Sequence, residues 1–243
     1  MLDLFQLALF ATAVISSAVA SVTGFGIGSL MTPLLNSQFE LKLAVALVSV
    51  PHFVATTLRC YILRKEIDKQ ALLRFGIASA VGGLLGALAQ NYCRDPILLK
   101  IFAGLLIFAG FLAATGLSRR FILPKVLSAP AGILSGVFGG MVGNQGGIRA
   151  AALLSMNLSK EAFVATSTAT GVIVDLARMP VYIYTQTSEL SNNWLILTST
   201  VIASILGTYL GMNLLNRIPE KIFSRIVGIT ILMLGIYMAR API

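Results

Sequence analysis

The chain reads as an all-α polytopic membrane protein. It is built as an inverted repeat of two halves, with about 8 long membrane segments plus two broken, re-entrant glycine-rich half-helix hairpins. Three observations lead there. Of the 243 residues, 57% are hydrophobic and only 11% charged, against roughly 25% charged in soluble domains. Apolar runs long enough to span a bilayer, about 17–25 residues, recur along the whole length. Two glycine-rich stretches interrupt this pattern, and a constant offset relates one to the other.

Taken in order, the apolar segments fall at 4–22, 41–63, 71–90, 97–117, 126–141, 162–184, 194–214 and 222–239. The opening Met1-Leu2-Asp3-Leu4 carries no basic region and no small-residue cleavage site, so it reads as part of the first membrane segment, not as a removable signal. Glycine-rich tails, residues 23–36 and 142–156, follow the first and fifth segments. Each is too short to cross alone and too apolar for an aqueous loop. Backbone of that kind survives at membrane depth only where it is buried in protein or lines a cavity.

The first tail opens on Thr23-Gly24-Phe25-Gly26-Ile27-Gly28-Ser29 and carries Pro33. The second is entered through Gly139-Gly140-Met141-Val142-Gly143-Asn144-Gln145-Gly146-Gly147-Ile148-Arg149, eleven residues with five glycines. Glycine costs about 1 kcal/mol relative to alanine inside a helix, so both stretches read as helix breaks. An offset of 119 carries Gly24 onto Gly143, Gly28 onto Gly147 and Arg59 onto Arg178. The pair Gly82 and Gly86 recurs as Gly207 and Gly211 at an offset of 125. The chain therefore divides into a first membrane repeat at 1–117, a basic cytoplasmic linker at 118–125 and a second membrane repeat at 126–243.

Charge placement sets the expected orientation. The formal charge is +9, from 18 basic and 9 acidic residues. In a membrane chain such an excess collects in cytoplasmic loops and at headgroup level, so the partner is membrane lipid and not nucleic acid. Arg64, Lys65 and Lys69 follow the second segment, Arg119, Arg120 and Lys125 lie in the linker, and Arg217 and Lys221 follow the seventh; the stretch 185–193 holds no Lys or Arg. These loops alternate in a way that requires inverted halves. Each half must then cross an odd number of times, so each glycine-rich unit must be a hairpin that returns to its starting side. The expected localisation is the cytoplasmic (inner) membrane, multi-pass, with both termini outside.

A glycine-rich broken segment ending in proline, a helix, a basic turn of the form Arg64-Lys65-Glu66-Ile67-Asp68 and a GxxxG helix, all repeated once, resembles the TauE/SafE sulfite exporter family of permeases. The resemblance covers nearly the whole chain. It implies transport of sulfite, other sulfur oxyanions or sulfonates across the cytoplasmic membrane. The second motif departs from the family pattern: Asn144 and Gln145 stand where glycine is usual, Arg149 follows at once, and Ala152 occupies the position matching Pro33.

A small oxyanion at the bilayer midplane needs N–H donors and positive potential. Half-helix N-termini supply both, and glycine lets the backbone approach a ligand without a Cβ in the way. Candidate substrate-binding residues are therefore Thr23, Gly24, Gly26 and Gly28 from the first break, and Gly143, Asn144, Gln145, Gly146, Gly147 and Arg149 from the second. Gly82, Gly86, Gly207 and Gly211 read instead as close-packing positions between helices. Arg178 lies deep in segment six with Asp175 three residues earlier on the same face; intramembrane ionisable groups default to functional candidates. The competing reading is an Asp–Arg pair that locks the helix. Arg59 joins the binding set by repeat correspondence, although its position one turn from the basic loop also suits snorkelling to the headgroups.

Asp175 and His52 are the candidates for coupling or gating. His52 is the chain's one histidine, beside Pro51, and would serve protons as coupling ion. Trp194, Tyr182, Tyr184 and Tyr237 lie near segment ends and read as an interfacial belt. No cofactor is expected: Cys60 and Cys93 are isolated, and no GxxxxGK[ST] motif occurs. The leading expectation is a secondary transporter of a small sulfur-containing anion working by alternating access. The alternatives are an anion channel, a transporter for another small anion, or an assembly subunit. An intramembrane enzyme would need paired carboxylates, a metal set or an activated nucleophile.

Overall fold

In a computed structural model of the chain, the described residues are 4–90, 95–117, 125–143 and 158–214, with single positions between 146 and 156 and between 229 and 240. They are all-helical. The helices are α1 (Leu4–Thr23), α2 (Ile27–Asn36), α3 (Leu41–Ile62), α4 (Lys69–Gln90), α5 (Asp95–Thr115), α6 (Ser128–Val142), α7 (Lys160–Thr185), α8 (Thr187–Asn192) and α9 (Trp194–Leu214). Helices of 20–22 residues reach about 30 Å at ~1.5 Å per residue, the thickness of a hydrocarbon core. Four of them, α1, α3, α4 and α9, are long and apolar enough to cross. Helix α7 has 26 residues but carries Asp175 and Arg178 within its length. The apolar segment 222–239 lies mostly, and the linker stretch 118–124 wholly, outside the described residues.

Glycine chemistry ends α1. Gly24 and Gly26 adopt φ of 78° and 136°, values that a Cβ disfavours. The Thr23 hydroxyl bridges the break by donating to the Phe25 carbonyl at 2.8 Å. Helix α2 then runs back along α1, and the Phe5 and Phe39 rings lie 6.4 Å apart. By residue 39 the chain has returned to the end where α1 began, so this unit is a hairpin.

The middle of the bundle is α3 packed against α7. His52 meets Asp175 at 2.6 Å. Farther along, the N–H of Asp68, just beyond α3, donates to the Thr166 hydroxyl near the start of α7 at 2.9 Å. Rising numbers on one side therefore meet falling numbers on the other, and the two helices are antiparallel.

Small residues bring the outer pairs together. A Cβ at Gly82 would fall on the carbonyl oxygen of Ile133, and one at Gly86 on that of Val137, so α4 lies directly on α6. A Cβ at Gly207 would strike the Val14 carbonyl and one at Gly211 the Ala18 carbonyl, so α9 lies on α1 in the same manner. Val14 and Ile133 are 119 residues apart, as are Ala18 and Val137. The same kind of contact is thus made twice, each time between an early and a late helix. These four glycines are packing positions, as their spacing suggests. The outward faces of the same helices carry exposed Leu84, Leu88, Leu206, Tyr209 and Leu210, which suits lipid.

Candidate functional site

The two breaks meet. Helix α6 ends at Gly143, whose φ of 72° makes it a left-handed cap with its N–H donated to the Gly139 carbonyl at 3.0 Å. A Cβ at Gly28 would overlap the Gly143 carbonyl oxygen, and one at Gly146 would lie 2.6 Å from the Cβ of Phe25. Backbone therefore touches backbone at Gly28 and Gly143, and Gly146 packs against the Phe25 side chain. The Gly24 carbonyl accepts from Arg149 Nη2 at 3.2 Å and from the Ser167 hydroxyl at 3.1 Å. Thr23, Gly24, Gly26, Gly28, Gly143 and Gly146 thus form one contiguous patch. Asn144, Gln145 and Gly147 lie outside the described residues.

Beside this patch sits a buried charge cluster. Asp175 is at its centre and has 0% exposure. Its Oδ1 accepts from Arg178 Nε at 3.0 Å and lies 2.8 Å from Arg178 Nη2, while its Oδ2 accepts from His52 Nδ1 at 2.6 Å. That bond fixes the histidine tautomer with the proton on Nδ1 while the ring is neutral. The Thr56 hydroxyl, 2.5 Å from the His52 carbonyl, lies 3.4 Å from the same carboxylate oxygen. Gly171 opens the space between the helices: a Cβ there would meet Arg149 Nη1 at 3.3 Å and His52 Cε1 at 3.8 Å.

Arg178 also donates to the Gly139 carbonyl, and Tyr182 donates to that of Gly140. The last carbonyls of a helix lack the usual partner one turn on. Tyr182 takes up that of Gly140, and Arg178 adds a second donor to that of Gly139, which the Gly143 N–H also reaches, so both side chains cap α6 just before the break. Cations are favoured at that end of a helix. Tyr182 consequently is not part of an interfacial belt. It is 1% exposed, whereas Tyr184 and Trp194 are 88% and 59% exposed. The i, i+4 spacing of Arg178 and Tyr182 was the available sequence signal.

Arg59 does not snorkel either. It is fully buried, and its Nη1 reaches the Ser17 carbonyl at 3.4 Å, because the face of α3 that bears it packs inward. Its Nε has no hydrogen-bond partner, and neither do Nε and Nη1 of the equally buried Arg149. Arg149 and Asp175 lie within electrostatic reach of Arg59 and of Arg178, and His52 lies within reach of Asp175, Arg178 and Arg149. Among the described residues, three buried guanidiniums share one carboxylate. A separate cavity of about 240 Å³ lies at the basic turn, lined by Asp68, Gln70, Arg74 and Ser128, and contains none of the residues above.

A helical bundle with four helices long and apolar enough to cross a bilayer, and with charged groups buried beside its helix breaks, is a membrane-integral protein. The family model described as "Sulfite exporter TauE/SafE" matches residues 9–238, and the chain belongs to that family. Neither the curated proteins nor the solved structures yielded a match.

Proposed function

We propose that this chain is a secondary transporter of a small sulfur-containing anion, sulfite or an organosulfonate, working by alternating access. The observation that carries this reading is the imbalance of buried charge. Leaving an ion in a low-dielectric interior without a partner costs several kcal/mol. Arg59, Arg149 and Arg178 have Asp175 as their one acidic neighbour among the described residues, so the cluster suits an anion. Glycine backbone on both sides allows close approach, and guanidinium forks match planar or tetrahedral oxyanions.

The substrate site is assigned to Arg59 and Arg149, with Thr23, Gly24, Gly26, Gly28, Gly143 and Gly146 forming its wall and Asn144, Gln145 and Gly147 completing the second break. Arg178 holds Asp175 and the end of α6, while His52 and Asp175 link the two halves and serve gating. Duplication of 1–117 and 126–243 in inverted orientation is supported by the antiparallel α3 and α7, by the hairpin closed at Phe5 and Phe39, and by the exchanged glycine contacts.

Counterflow in proteoliposomes tests the function. Preloading with sulfite should accelerate entry of labelled sulfite, whereas a channel shows no such trans-stimulation. A flux indifferent to internal sulfite would end the carrier reading. The orientation has its own test. Ser191 lies exposed in α8, in the stretch free of basic residues. A cysteine placed there, with Cys60 and Cys93 replaced by serine, should react in intact cells with an impermeant maleimide. Protection until the cells are opened would overturn the external placement.

A further inference from the structure

The two arginines that correspond across the repeat are treated differently by the protein. Arg178 has Asp175 three residues before it, in direct contact at 2.8 Å. Arg59, at the corresponding position 119 residues earlier, has Thr56 where that carboxylate would stand. Threonine supplies a hydroxyl and no charge. Arg178 is also tied to the Gly139 carbonyl, whereas Arg59 has one long bond to Ser17 and an unpartnered Nε. Arg149 is the second cation without a carboxylate, and it leaves two nitrogens unpartnered. His52, donating to Asp175, adds no charge while neutral. Among the described residues the protein therefore neutralises one of three buried guanidiniums and leaves two.

From this asymmetry we infer that the site selects its anion by charge, taking a divalent oxyanion in preference to a monovalent one of the same size, with Arg59 as the residue that sets the preference. The inference rests on the anion-site reading above and narrows its substrate class. A dianion between Arg59 and Arg149 brings the cluster to neutrality, and a monoanion leaves one buried positive charge uncompensated. In a low-dielectric interior that difference outweighs any gain from shape.

Sulfate and methanesulfonate provide the test. They are near-equal in size and differ by one charge at any working pH. Binding of each to the purified full-length chain is measured by calorimetry at constant ionic strength, above the ordinary histidine titration range. Sulfate should bind more tightly by at least about tenfold. Arg59→Gln should erase that ratio mainly by weakening sulfate, and Arg59→Lys, which keeps the charge but not the fork, should preserve it. Equal affinities in the unaltered chain would overturn the inference without any variant being needed, as would an Arg59→Gln protein that loses both anions equally. If folded chain binds neither anion, the site reading itself falls, and the charge preference with it.

Discussion

Asp175→Asn will destabilise the folded chain by about 3–5 kcal/mol, the usual consequence of removing one partner from a buried ion pair. The substitution changes almost no volume. It does remove the negative charge that faces Arg178 on one oxygen and His52 on the other, leaving three buried guanidiniums without a carboxylate among the described residues. The amide oxygen can keep the Arg178 contact, but the amide NH2 then faces the His52 N–H, so loss of that hydrogen bond adds to the loss of charge. The measurement is the unfolding midpoint in detergent, together with the yield of monodisperse protein. A change within about 1 kcal/mol, the ordinary scale of a point substitution, would show that Asp175 is not the counterion of the cluster.

Arg149→Gln should do the opposite to stability while removing function. Among the described residues Arg149 bonds to the Gly24 carbonyl at 3.2 Å, and it leaves two buried nitrogens unpartnered. Removing it relieves an unneutralised charge, so the empty protein should unfold no earlier than the unaltered one. Anion binding should weaken by about 10–100-fold, since hydrogen bonds to charged groups contribute about 1.5–3 kcal/mol. Arg149→Lys should fall between the two, keeping charge but losing the fork. Sulfite binding by calorimetry and counterflow in liposomes read the effect. Transport at the unaltered rate in Arg149→Gln would remove this residue from the pathway. The contrast with Asp175→Asn separates a group kept for the fold from one kept for the ligand.

Much of this architecture was legible in the residues. Glycine clustering marked both breaks because few other features place so many flexible positions inside apolar sequence. Periodic apolar runs located helices such as α3 and α9 closely, and the glycine pairs at 82 and 207 announced their packing. Arg178 with Asp175 was visible as a pair from its i, i+3 spacing. What stayed hidden was contact between distant segments. Neither the reach of Asp175 to His52 nor that of Arg149 to Gly24 has a local signature, since each joins residues more than a hundred apart. The burial of Arg59 and Tyr182 was missed for a related reason. Proximity to a polar loop places a residue along a helix axis, yet says nothing of which way its face is turned.

The exchanged glycine contacts bear on how such a chain is put together. The helix bearing Gly82 and Gly86 finds its seat on α6, in the other half, and the helix bearing Gly207 and Gly211 finds its seat on α1. Both pairs clasp like hooked fingers, each joining a helix from early in the chain to one from late in it. Each pair is a composite body drawn from two distant stretches of sequence, α4 with α6 and α1 with α9, so a motion that keeps these close contacts intact moves each pair whole.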